Sequence, residues 1–203
     1  MKQLKSHDFP EVYEWLGINL NKLGCVMLDL EPIRMPTHII QEHETGVQVN
    51  FDAFLKEYLY YANNKERFWI DGYVADKVPH ITLLYGLLEE AKNYAPHIEK
   101  VLAGWKLNEV EIDHFGYFDS PYPDEPYYCV VAHIKVTPEL LEGHHRLEFL
   151  PHINTFAEYK PHMTIAYIKK DNKMRDNFIE DLKKEFSGKK MKVNETLNLG
   201  GNK

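Results

Sequence analysis

The sequence predicts an internally duplicated α+β domain, and three observations lead to it. Apolar runs of strand length alternate with longer stretches whose apolar residues recur three and four positions apart, the patterns of strands and amphipathic helices. The pattern Pro-His-x-Thr occurs twice, at 79–82 and at 161–164. Around each copy the elements come in one order: a strand, a helix, the Pro-His-x-Thr strand, then a further helix and strand.

Taken in order, Asp8-Phe9-Pro10-Glu11 offers a capping carboxylate, a proline in the first turn and an acidic residue three places on, so a short helix runs to about residue 20. Residues 24–30 are a compact apolar run that reads as a strand buried on both faces. Residues 31–49 carry Pro32, Pro36, His38 and His43 without periodicity and read as a loop or insertion. Phe54, Leu55, Tyr58, Leu59 and Ala62 make 51–63 an amphipathic helix. A strand over 78–85 follows, led in by Pro79, and helix periodicity returns over 92–105. Strands at 110–118 and 127–136 flank the turn-rich segment 119–124 and form a hairpin. Pro138 opens a helix to about residue 150, and a strand at 160–168 is led in by Pro161. A helix at 171–186, stopped by Gly188, and a strand at 191–199 complete the second copy.

Composition narrows the function. The 203 residues suffice for one sizeable core. No run of eighteen apolar residues exists, and the basic start lacks the apolar stretch of a secretory signal, so a cytoplasmic protein without membrane contact is expected. A formal charge of -7 argues against coating long nucleic acid, which is driven by neutralising many phosphates, and favours a short, weakly charged ligand. Thirteen tyrosines supply faces for base stacking, although packing is the commoner use of any one of them. Cys25 and Cys129 lie in apolar strand-like runs and read as buried reduced thiols, neither of them a nucleophile.

The segments Pro79-His80-Ile81-Thr82-Leu83-Leu84-Tyr85 and Pro161-His162-Met163-Thr164-Ile165-Ala166-Tyr167 match at Pro, His, Thr and Tyr. Strand alternation puts His80 and Thr82 on one face and Ile81, Leu83 and Tyr85 on the other, and it treats the second copy alike. Each strand then has an apolar side for the core and a His-Thr side for chemistry. A two-fold relation between the halves would set the two polar faces across one cleft. There a neutral imidazole takes the proton of an attacking water or ribose hydroxyl while a protonated one gives a proton to the leaving oxygen. Histidine suits both roles near neutral pH. The threonine hydroxyls would hold the non-bridging phosphate oxygens. One such strand alone reads more readily as a satisfied strand histidine beside a β-favouring threonine; two copies in duplicated positions reverse that preference.

At these residues the chain resembles the two-histidine (2H) phosphoesterase superfamily, marked by paired His-x-Thr/Ser motifs, and the resemblance spans most of Gly24 to Leu199. It implies an α+β, bilobal, internally duplicated fold with antiparallel sheets lining a central cleft and helices outside. It further implies one domain over 1–203: a helical extension at 1–23 and two pseudo-symmetric lobes, about 24–118 and 119–203, that exchange strands. His80 and His162 become the acid/base pair, Thr82 and Thr164 the phosphate ligands, with no metal and no cofactor. Members include 2',5' RNA ligase-like enzymes, 2',3'-cyclic phosphodiesterases and phage anti-CBASS enzymes that degrade cyclic oligonucleotide signals. The expected partner is a small nucleotide, a cyclic oligonucleotide or an RNA end, met in the host cytoplasm if the chain is phage-encoded. The N-terminal extension and the long first-half insertion depart from the pattern.

Secondary candidates surround the motifs. Lys77, Lys160 and Arg67 are placed to supply positive charge, Trp69, Tyr73 and Tyr122 to stack a base, and Glu195 to contact a base edge or orient a histidine; ordinary surface and packing roles compete for each. Two rival functions are weighed against catalysis. A metal site draws on the eleven histidines, including His38 with His43 and the pair His144-His145, but no His-Glu-x-x-His or cysteine pair is present, and His144 and His145 read as surface residues of an amphipathic helix. A module that sequesters a nucleotide without cutting it is the other rival, opposed by the intactness of both motifs.

Overall fold

The computed structural model describes residues 15–31, 79–120, 127–154, 156 and 158–201. Six strands form one sheet: β1 (Gly24–Leu30), β2 (His80–Leu87), β3 (Glu109–Asp119), β4 (Tyr127–Ile134), β5 (His162–Lys169) and β6 (Lys190–Gly201). Three α-helices are described, α1 (Ala95–Val101), α2 (Pro138–Leu147) and α3 (Asn172–Phe186). The helix expected to run to about residue 20 stops at Trp15, where Leu16 and Gly17 form a turn and Leu20–Lys22 a 3-10 turn; its start, the helix expected at 51–63, residues 32–49 of the loop and 121–124 of the turn lie outside the described residues. Among the described residues, no helix is long and apolar enough to cross a membrane.

The helix ends obey local chemistry. Thr137 caps α2 by accepting from the Leu140 amide at 3.2 Å, and Asp171 caps α3 by accepting from the Met174 amide at 3.0 Å. The single helix expected at 92–105 is instead a 3-10 turn, Ala91–Tyr94, followed by α1. Pro96 is the cause: it has no amide to donate back to Lys92, and its ring crowds the preceding turn, so α1 starts beside it.

Sheet order is β2-β1-β6-β3-β4-β5, and every neighbouring pair is antiparallel. This arrangement is two three-stranded halves joined at a short seam, where Glu109, Val110 and Glu111 pair with Lys192, Met191 and Lys190. Beyond the seam β3 continues along β4 and β6 along β1, so the halves diverge. The outermost strands, β2 and β5, pack against each other, which means the sheet curls until its edges meet. Both edge strands are the ones that carry Pro-His-x-Thr.

One face of the curled sheet is the core. Val26, Leu28 and Leu30 of β1, Ile81 and Leu83 of β2, Val130, Ala132 and Ile134 of β4, and Met163 and Ile165 of β5 are buried there. Helix α3 covers β3 and β4 with Met174, Phe178, Ile179, Leu182 and Phe186, whose three- and four-residue spacing makes one stripe. Gly143 on α2 sits where any Cβ would lie 2.4 Å from the Trp105 ring, so only glycine lets that indole pack and donate to the Glu139 carbonyl at 2.8 Å. The other face holds the alternating residues. Cys25, Met27 and Asp29 are half-buried, which corrects the reading of β1 as buried on both faces: it has one core side and one partly exposed side.

Candidate active site

The two halves agree pair by pair. In β1 and β2, Cys25 faces Tyr85, Met27 faces Thr82 and Asp29 faces His80. In β4 and β5, Cys129 faces Tyr167, Val131 faces Thr164 and His133 faces His162. The lead-in prolines match as well: the Pro79 carbonyl accepts from the Leu30 amide at 2.7 Å, and the Pro161 carbonyl from the Ile134 amide at 2.9 Å. Each histidine therefore starts its strand at the end of the sheet nearest the seam, beside the same set of neighbouring positions.

Irregularity repeats too. Val26 and Met27 pair with Leu84 and Thr82, skipping Leu83; Val130 and Val131 pair with Ala166 and Thr164, skipping Ile165. A bulge puts two residues against one and interrupts alternation. Leu83 and Leu84 are consequently both buried, and Tyr85 returns to the side of His80 and Thr82. Simple alternation placed Tyr85 and Tyr167 on the core face; the bulges move both off it, leaving them half-buried, with Tyr85 6.4 Å from the Phe156 ring and Tyr167 edge-on to Tyr127 at 5.1 Å.

The bulge also turns consecutive carbonyls of β2 toward its outer edge, where they need donors. The Thr82 carbonyl accepts from the Tyr159 hydroxyl at 3.1 Å and the Leu83 carbonyl from His144 Nδ1 at 2.7 Å. Further along, Ile153 donates to the Gly86 carbonyl at 2.9 Å, so the segment entering β5 straps the first motif strand in place. Gly86, at φ +109°, permits this approach. His144 is thus no surface residue: only 13% of its side chain is exposed, and its ring lies flat on Tyr159 at 3.9 Å, while His145 is exposed as expected. Helical periodicity could not foresee a strand carbonyl waiting for it.

His162 is half-exposed, and its Nδ1 lies 2.8 Å from the Lys160 carbonyl. A carbonyl only accepts, so Nδ1 carries the proton and Nε2 keeps its lone pair. Phe118 stands edge-on to His162 at 5.0 Å. Across the strand His133 lies 6.3 Å from His162 and is stacked on His114 at 4.3 Å, giving a row of three imidazoles over β5, β4 and β3. Burial, then the neighbouring His114 and His162, push His133 down to about 4, so it is neutral near pH 7. Gly116 makes room for it, since a Cβ there would lie 3.0 Å from His133 Nε2. Thr164 sits 3.9 Å from the Cys129 sulfur.

The first half is polar where the second is aromatic. Asp29, the partner of His80, accepts from Asn198 Nδ2 at 3.0 Å, and it shares an open depression of about 670 Å³ with Asn194, Thr196 and Asn198. His80 itself is exposed. Burial raises the Cys25 thiol, which disfavours its thiolate, and both cysteines are half-buried rather than buried as expected.

Of the secondary candidates, Trp69, Tyr73, Lys77, Tyr122 and Arg67 lie outside the described residues, as do His38 and His43. Lys160 is exposed beside the second motif with its ammonium 3.1 Å from Glu158, so its charge is paired, and it is the Lys160 carbonyl that touches His162. Glu195 is exposed on β6 and does not line the depression that its neighbours Asn194 and Thr196 line. Sequence reasoning passed over Asp29, His133, His114, Phe118 and Asn198. Superposing Leu28-Asp29-Leu30 on Ala132-His133-Ile134 within the repeat is the signal that would have found the first two.

The family model described as the 2'-5' RNA ligase superfamily matches residues 55–197, more than two thirds of the chain. The structure of Usb1 from Kluyveromyces marxianus is similar at a TM-score of 0.48 and 10% identity, covering 90% of this chain and 96% of that one. No curated protein matches the chain.

Proposed function

This chain belongs to the 2'-5' RNA ligase superfamily, a group of two-histidine phosphoesterases, and from that premise we propose that it cleaves a phosphodiester bond in a small nucleotide or an RNA end, with His80 and His162 as the acid/base pair. The observation that carries the reading is the matched register: each His-x-Thr strand has the same bulge, the same lead-in proline contact and the same neighbouring positions. Duplication of that order equips both ends of one displacement, proton removal from the nucleophile and proton delivery to the leaving oxygen. Each positioned transfer contributes ~10² to 10⁴ in rate. Thr82 and Thr164 donate to the non-bridging oxygens and hold the charge that develops there. The scheme needs no metal ion and no cofactor.

The neighbours divide the labour. Asp29, a carboxylate, is the cross-strand neighbour of His80, whereas His162 shares its pair with His133, a second imidazole. His80 is therefore the acid and His162 the base. Within the class the preferred substrate is a cyclic or 2',5'/3',5'-linked nucleotide, including a cyclic oligonucleotide signal of the anti-CBASS type, because the net charge of -7 favours a short ligand over a long polyanion. Cleavage of 2',3'-cyclic ends of RNA is the neighbouring assignment.

The test is a panel of 2',3'-cyclic nucleotides, 2',5'-linked dinucleotides, 3',5'-linked RNA ends and cyclic di- and trinucleotides, incubated in chelator and analysed for products. Turnover of one class, lost in His80→Ala and His162→Ala, establishes both the reaction and its branch. Ligand returned intact by a protein that binds it identifies a sequestering module instead.

A further inference from the structure

We propose that His144, His145 and Glu148, at the C-terminal end of α2, form a zinc site separate from the His-x-Thr strands. One donor atom from each of the three lies within 4.8 Å of the others. His144 Nε2 is 3.6 Å from Glu148 Oε1, and His145 Nδ1 is 2.8 Å from Glu148 Oε2. Ligands of tetrahedral zinc, each about 2.0–2.2 Å from the metal, stand roughly 3.3–3.5 Å apart, so the set closes on an ion with small side-chain movements.

What prepares this cluster for a metal is the tautomer of His144. Its Nδ1 sits 2.7 Å from the Leu83 carbonyl, which can only accept, so the proton is on Nδ1 and the Nε2 lone pair is aimed at the carboxylate. That lone pair and the carboxylate oxygen, 3.6 Å apart, are two acceptors that one cation can bridge. A ligating histidine that donates its other N–H to a backbone carbonyl is the usual second shell of a zinc site. The ring is held flat against Tyr159 at 3.9 Å, which fixes the ligand before the metal arrives. The helix C-terminus adds the negative end of its dipole. His145 is exposed and Glu148 partly so, giving the ion an entry path and leaving the fourth position to water.

Binding balances without a net proton from either imidazole. His145 moves its proton from Nδ1 to Nε2 through solvent, His144 keeps its own on Nδ1, and Glu148 enters as the carboxylate. Charge on the metal strengthens the His144 Nδ1–H bond to Leu83, the residue after Thr82, so the ion stiffens the outer edge of the first motif strand.

Co²⁺ serves as the spectroscopic probe and Zn²⁺ as its competitor, on the full chain stripped with chelator and without substrate. The expected result is uptake of one Co²⁺ per chain with the visible bands of tetrahedral coordination, displaced by Zn²⁺, and a Zn²⁺-dependent rise in Tm. Both responses vanish in His145→Ala and in Glu148→Gln, whose side chains are exposed enough to leave the fold intact by circular dichroism, and both persist in His80→Ala. No stoichiometric uptake, or uptake unchanged in His145→Ala and Glu148→Gln, overturns the site; loss on replacing His133 or His162 instead moves the metal to the imidazole row. Metal content is read without catalysis, so this outcome is independent of the phosphoesterase reading.

Discussion

His133 makes the electrostatics of the imidazole row measurable through stability. It is held down to about 4, first by burial and then by His114 and His162, with Asp113 opposing. In the unfolded chain a histidine titrates near 6.5. Between those values the unfolded state binds a proton that the folded state refuses, so stability rises with pH across the window. The contribution is complete above about pH 6.5 and is lost progressively as pH falls toward 4. At about 1.36 kcal/mol per pH unit the ceiling is about 3.4 kcal/mol. The ring is only half-buried, and solvent screening reduces this to about 1–2 kcal/mol. The perturbation is His133→Gln, which removes the titration and keeps a polar side chain beside Gly116. Urea denaturation of both proteins at intervals from pH 7 to pH 4.5 isolates the effect as a difference of slopes, common titrations cancelling. Wild type is expected to lose about 1–2 kcal/mol more than the variant over that range. Parallel curves would refute the argument, showing that His133 accepts its proton as readily in the fold as in the coil.

Four further outcomes follow from the same geometry. With a 4-nitrophenyl phosphodiester, whose leaving group needs no proton, His80→Ala should recover most of its ~10² to 10⁴-fold loss while His162→Ala should not; recovery in His162→Ala alone reverses the acid and base. Thr164→Val is expected to lower kcat by about 10²-fold with little change in Tm, as for loss of one charge-stabilising donor, and an unchanged kcat removes the threonine from the site. Gly86→Ala places a Cβ 2.2 Å from the Ile153 carbonyl at a φ of +109°. Strain of about 1–3 kcal/mol together with a lost hydrogen bond of about 1 kcal/mol should appear as a lower urea midpoint, and a loss under about 0.5 kcal/mol would mean the strap does not depend on that approach. Phe178→Ala empties the centre of the α3 stripe and should cost about 3–5 kcal/mol by the same assay; a cost below about 1 kcal/mol would show that α3 does not close the core.

The division between sequence and structure falls along the range of the forces involved. Period and punctuation act over a few residues, and they were enough to locate β1 to β6 and the two Pro-His-x-Thr strands with their order. Where a local element has an internal exception, the same information misleads: Pro96 divided one expected helix into a turn and α1, and the bulges at Leu83 and Ile165 carried Tyr85 and Tyr167 off the core face. Tertiary structure alone decided which group stands beside each histidine. Asp29 meets His80, and His133 meets His162, because hydrogen-bonded register between strands distant in sequence sets them there. Register also left the Leu83 carbonyl in need of a donor and drew His144 inward to supply it. Residue type and spacing announce that two imidazoles are available; the charge, tautomer and company of each depend on burial and cross-strand contact, which exist only once the sheet has closed.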